Sequence, residues 1–174
     1  MHDKVKTSVK IAMALLAACT SVAQANPRWV VGTYRNLAEG YSIKIPRGLK
    51  GRAGDEDGPE RGPRISLPSG GNIVVFGEPN SLEYKNPTEG VRAELAYEKC
   101  ASARQEVRQA RVGMLNGAKG SLVCGDRVVK VLLAFRTGGG PIYWLRLETV
   151  RAHESEDDVI LEDVAASFKL IRWQ

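Results

Sequence analysis

The sequence predicts an α+β domain: a mostly antiparallel sheet packed by two helices, preceded by a cleaved signal peptide. Three observations predict it. Short apolar runs with period two recur along the chain, separated by Gly- and Pro-rich turns. Two stretches carry helix-start residues. The first 25 residues have the order of an export signal.

Lys4, Lys6 and Lys10 form a positive head, and Ile11 to Ala18 is an uncharged apolar run. That run is far shorter than the ~20 residues a permanent membrane helix needs. Two processing sites follow. Ala23-Gln24-Ala25 fits the small-x-small rule, with release before Asn26. Leu16-Ala17-Ala18-Cys19 resembles the bacterial lipobox and would leave a lipid on Cys19. The first makes residues 26–174 a free exported, periplasmic domain; the second makes them a membrane-anchored lipoprotein. No later apolar run is long enough to span a bilayer as a helix.

In "GYSIKIP", Tyr41, Ile43 and Ile45 alternate with Ser42 and Lys44, a half-buried strand stopped by Pro46. Residues 47–64 have no apolar period and read as a long charged loop. "RISL" and "NIVVFG" are the next strands, joined by a turn at Pro68–Gly71. "NPTEG" opens a helix, with Asn86 as cap, Pro87 at the first position and Glu89 where a capping box wants a carboxylate. Ala93, Ala96, Tyr97 and Cys100 share one side of it, with Val91 and Leu95 elsewhere. "ARQEVRQARVG" reads either as a continuation of that helix or as a polar strand.

The clearest stretch comes next: "SLVC", "RVVKVLLAF" and "IYWLRLETV" form an antiparallel run. Val129, Val131, Leu133 and Phe135 lie on one face; Tyr143, Leu145 and Leu147 alternate with Trp144, Arg146 and Glu148. The second helix is expected to be capped by Ser155 and carries an apolar stripe of Ile160, Leu161, Val164, Ala165 and Phe168. "FKLIRW" closes the chain as a strand or extended tail.

"GYSIKIPRGL" near the start and "VAASFKL" near the end, around a Gly-rich meander, resemble the PsbP-like family of small exported α/β/α sandwich proteins. The resemblance implies an accessory or binding module. It carries over no functional residue, and neither the long loop nor the cysteine pair belongs to its pattern.

The 174 residues hold 25 Lys+Arg against 20 Asp+Glu, a net charge of +5. The signal segment removes Lys4, Lys6, Lys10 and Asp3, leaving +3. Scattered basic residues at that level do not point to nucleic acid. After either cleavage, Cys100 and Cys124 are the two thiols left to pair. In an oxidising compartment they read as a disulfide closing a loop of about 25 residues, worth about 3.5 kcal/mol.

Only His153 remains after the signal, too few imidazoles for a zinc site or a Ser-His or Cys-His nucleophile. No catalytic residue, cofactor or metal ligand is expected. The leading reading is a non-enzymatic domain that binds a protein or envelope component, as an inhibitor or immunity protein in its sharper form. Its contact is assigned to the 47–64 loop, through Leu49, Arg52, Asp55, Glu56, Asp57, Glu60 and Arg61. Arg104, Arg108, Arg111 and Trp144 stand next in line. A lipid-anchored assembly factor is the alternative. A small hydrolase is the third reading; it requires two close carboxylates in a cleft, one with a raised pKa.

Overall fold

The computed structural model describes residues 28–53, 62–98, 100, 104–136 and 140–171. Both proposed processing sites lie outside them, as do Asp55, Glu56, Asp57, Glu60 and Arg61.

Among the described residues, eleven strands and two helices run in the order β1 (Arg28–Val30), β2 (Thr33–Asn36), β3 (Tyr41–Lys44), β4 (Gly51–Ala53), β5 (Arg64–Ser66), β6 (Asn72–Pro79), α1 (Pro87–Ala96), β7 (Arg104–Val112), β8 (Leu115–Cys124), β9 (Arg127–Phe135), β10 (Pro141–Val150), α2 (Glu154–Ala166) and β11 (Lys169–Leu170). A 3-10 turn over Arg151–His153 leads into α2. Eight strands make one sheet in the order β1-β4-β5-β6-β10-β9-β8-β7, and three make a second, β11-β3-β2. Every pairing is antiparallel.

The period-two alternation of β9 and β10 splits their side chains between two cores. On one face α1 covers Val129, Val131, Leu133 and Trp144. On the other, α2 and the small sheet enclose Leu132, Tyr143, Leu145 and Leu147 together with Tyr41 and Ile43. The molecule is thus a layered sandwich with the large sheet in the middle. Trp144, which the sequence leaves either packed or exposed, is packed beneath α1 and donates its indole N–H to Glu78 Oε1 at 2.7 Å.

Several expectations need correction. Residues 47–64 are not loop throughout: Gly51–Ala53 form β4, paired with both β1 and β5. Gly51, Ala53 and Pro63 are buried, and Leu49 packs against the core instead of standing as an exposed anchor. Gly51 has no side chain because Ile45 Cδ1 would lie 2.8 Å from a Cβ there. The α1 face is also inverted. Val91 and Leu95 are the buried residues, while Ala96 and Tyr97 face solvent. Ser155 caps nothing: α2 begins at Glu154, after His153, with no side-chain cap. The 3-10 turn delivers the chain to the helix two residues earlier than a Ser155 cap implies.

Cys100 and Cys124 form a disulfide with Cα atoms 5.8 Å apart, tying the segment after α1 to the end of β8. No helix among the described residues is long and apolar enough to cross a membrane.

Candidate functional site

The polar stretch 104–111 is a strand, and this decides where its arginines go. Strand geometry sends successive side chains to opposite faces. Arg108 therefore lies on the α2 face and Arg111 on the α1 face, so Arg104, Arg108 and Arg111 do not line one face as a helix would arrange them. Position 104 shares the register parity of 108, opposite Val123.

A cleft of about 810 Å³ opens on the α1 face where β7, β8 and β9 meet the start of α1. Arg111 and Gln109 enter it from β7, Asn116 from β8, Phe135 and Arg136 from the end of β9, and Asn86 to Thr88 from the helix start. Arg111 and Arg136 are among its lining residues and, among the described residues, no Asp or Glu is. Arg111 is exposed and has no ion-pair partner among the described residues. Arg136 also interacts with the Tyr143 hydroxyl, whose pKa burial raises and Arg136 draws partly back. The helix start carries its own capping pair. Asn86 Oδ1 accepts from the Glu89 N–H at 3.0 Å, and Glu89 Oε2 accepts from the Lys85 N–H at 2.9 Å. The cleft is therefore a cationic, amide-lined surface with an aromatic floor, suited to a carboxylate or another oxyanion.

The α2 face carries a different arrangement. Lys119 and Lys130 are buried on the sheet, and Glu154, Asp158 and Glu162 descend from α2 at four-residue spacing. Asp158 receives both lysines, at 2.6 and 3.1 Å. Burial raises its pKa, but the two ammonium groups outweigh burial and hold it below the usual carboxylate range. A cavity of about 210 Å³ lies beside this network, bounded by Glu106, Arg108 and Ser121.

A third cluster lies under α1. Arg146 pairs with Glu94 at 2.9 Å, with Glu98, and with Glu148 at 2.9 Å, while Arg127 bridges Glu98 at 2.7 Å and Glu148 at 3.2 Å. Burial raises the Glu94 pKa, only partly offset by Arg146. Glu98 is pushed up by burial too, but bonds from Arg146 and Arg127 take it below normal. Two neighbouring acids with opposed shifts are what a carboxylate hydrolase requires. Here, however, both are bound to arginine, and neither lines any of the three cavities described. The third of these, about 380 Å³, is an apolar notch between Val31, Ile45, Pro46 and Leu49.

Among the described residues no three His, Cys, Asp or Glu side chains are placed to hold a metal ion. His153 lies in the 3-10 turn, 3.6 Å from Glu156. Sequence reasoning missed the arginine cleft because Arg136, Asn116 and Asn86 come from separate elements. Of its lining residues only Arg111 stands among the contact candidates of the sequence, in a stretch that reads as either helix or strand.

No family model and no curated protein matches the sequence. Solved structures do. The solution structure of cyanobacterial PsbP (CyanoP) from Synechocystis sp. superposes with a TM-score of 0.57 at 15% identity, covering 89% of this chain and 98% of that one. A crystal structure from Bacteroides thetaiotaomicron covers 82% of this chain and 49% of that one at 14% identity, with a TM-score of 0.47, too low to argue from. The layered sandwich anticipated from "GYSIKIPRGL" and "VAASFKL" is therefore the one observed: the chain has the fold of cyanobacterial PsbP.

Proposed function

We propose that the domain is an exported, non-catalytic module that binds an acidic partner, a protein or an envelope component, in the cleft between β7 and the start of α1. The observation that carries this reading is the cleft's lining. The described residues that line it include two arginines, three side-chain amides and an aromatic ring, and no Asp or Glu. An exposed Arg111 with no ion-pair partner among the described residues, at the wall of an open cleft, is arranged for an anionic group. The other titratable clusters are internally paired, so their charge is already spent.

Anchoring through Cys19 or release after Ala25 changes where the module is held, not what the cleft recognises. The 47–64 segment stays a second contact region in this reading, restricted to the residues after Ala53, because β4 belongs to the sheet.

The test is capture from the native envelope with the wild type and with Arg111→Glu/Arg136→Glu. A partner retained by the wild type should be lost by at least tenfold in the double variant, with the melting temperature little changed. Equal capture by both would show that the cleft is not the contact.

A further inference from the structure

We infer that β7 is a docking edge: the partner adds an extended segment alongside β7 and places an acidic side chain against Arg111. The inference rests on the binding reading above and specifies its mode.

Four observations converge. First, β7 is the last strand of the large sheet, and nine residues long. Second, its outer backbone groups have no partner among the described residues. The β7–β8 ladder is unbroken from Arg104↔Val123 to Val112↔Leu115, closed by the two-residue turn Gly113-Met114, with Gly113 at φ 56. In such a hairpin the closing pair exchanges hydrogen bonds, so Val107, Gln109 and Arg111 turn their N–H and C=O groups outward. Among the described residues, no backbone bond from outside the ladder reaches them. Third, Gln105, Glu106, Arg108, Gln109 and Arg111 are exposed, and no helix or loop among the described residues covers the edge. Fourth, β7 separates two cavities, one on each face of the sheet. Gln109 and Arg111 wall the cleft on the α1 side; Glu106 and Arg108 bound the smaller cavity on the α2 side.

An edge flanked in this way fits strand addition. The main chain of the incoming segment supplies the hydrogen bonds, and its alternate side chains fall into the flanking cavities and set specificity. The new strand would run about 4.8 Å outside β7. Its α1-facing side chains would lie beside Gln109 and Arg111, where charge complementarity selects Asp or Glu over Lys or Arg. The β1 edge at the far side of the sheet lacks these features: it is three residues long.

The probe is the peptide acetyl-Thr-Val-Thr-Glu-Thr-Val-Thr-amide, with a counterpart carrying Lys in place of Glu. Amide NMR of the full mature protein reads binding. The Glu peptide should shift the Val107, Gln109 and Arg111 amides and bind at least fivefold tighter than the Lys peptide. Arg111→Glu should reverse that order. Gln109→Pro removes an outward N–H that the β7–β8 ladder does not use, and should abolish binding of both peptides. Should Gln109→Pro not fold, a Glu peptide N-methylated on the amides facing β7 asks the same of the wild type and should not bind.

Absence of any β7 shift overturns the inference. So does a dimer that Gln109→Pro dissolves, because the edge would then belong to a second copy. If Gln109→Pro and the N-methylated peptide leave Glu-peptide binding intact while Arg111→Glu abolishes it, strand addition fails and the arginine cleft stands.

Discussion

The two helices cover opposite faces of one sheet by different means. α2 buries Leu161, Val164 and Ala165 and leads into Phe168, which stacks on Tyr41 at 5.4 Å and lies 4.9 Å from Tyr143. Its core runs on into the small sheet. α1 buries only Gly90, Val91 and Leu95. It is held instead by close approach, by charge and by a covalent link. A Cβ on Gly120 would lie 2.4 Å from Val91 Cγ1, so the helix settles directly on bare backbone. Arg146 and Arg127 grip Glu98, and the Cys100–Cys124 bond follows. A helix with a thin apolar face needs such fasteners, because packing is what normally stabilises a short helix.

The contrast is broken most directly at Phe168. Phe168→Ala removes an aromatic side chain that is 2% exposed and should cost about 3–5 kcal/mol. The loss should be global, lowering the urea midpoint as one transition. A drop under about 1 kcal/mol would mean that the α2 core tolerates the cavity and is not the main source of stability.

The disulfide comes next. With a sequence separation of 24, replacing both cysteines by Ser should cost about 3.5 kcal/mol in the chain-entropy model. Unlike Phe168→Ala, it should act locally first. Amide exchange in Val91–Leu95 should accelerate before that in Leu161–Ala165. Uniform acceleration across both helices would erase the proposed difference.

The same contrast explains what the sequence displays and what it hides. The α2 stripe is legible because hydrophobic side chains make the contact. The α1 face is misread because two of its contacts are made where a side chain is missing, at Gly90 and Gly120, and glycine adds nothing to an apolar period. β4 is hidden for a related reason: it is three residues long and two of them, Gly51 and Ala53, are nearly bare. β7 stays ambiguous because an edge strand exposed over most of its length has little apolar alternation to show. The central strands β9 and β10 are plain because each alternates between two buried faces, whereas only "SLVC" of β8 reads as strand, since Gly117 and Gly120 interrupt the rest. The arginine cleft joins the β7–β8 hairpin to the end of β9 and the start of α1, so no local pattern can announce it.

A third, smaller effect is expected at Asp158. It is the carboxylate shared by Lys119 and Lys130, whose side chains are 5% and 9% exposed. Asp158→Asn leaves each lysine one carboxylate, Glu162 or Glu154. The cost should therefore be about 2 kcal/mol, below the 3–5 kcal/mol of a fully orphaned buried pair. Its pH dependence has a definite sign. The folded pKa of Asp158 lies below the unfolded value, so its contribution is present above the unfolded pKa and is lost as pH falls through the folded one. The wild type should lose stability below about pH 4, where unfolded Asp titrates. Asp158→Asn should flatten that slope, and an unchanged slope would remove Asp158 from the account.

On the α1 face the acids offset one another, and the smallest expected effect follows from this. Glu98 has a lowered pKa and behaves like Asp158. Glu94 is shifted the other way, chiefly by burial, so its ionised form is less favourable in the fold than in water. A raised folded pKa means that the charge costs stability at neutral pH, and that the cost fades as pH falls through the folded value. Glu94→Gln keeps the shape and an acceptor oxygen for Arg146, which retains Glu98 and Glu148 as ionic partners. The variant should be equal to or slightly more stable than wild type at pH 7, by no more than about 0.5 kcal/mol. The difference should vanish in acid, where Glu94 is protonated. Glu98→Gln should instead be destabilising, because its carboxylate also holds Arg127. Thermal melts of both variants from pH 7 to pH 3 separate the two roles. If Glu94→Gln costs more than about 1 kcal/mol at pH 7, then Glu94 is itself a principal fastener of α1 on the sheet, and the division of labour between the two acids is the reverse of the one argued here.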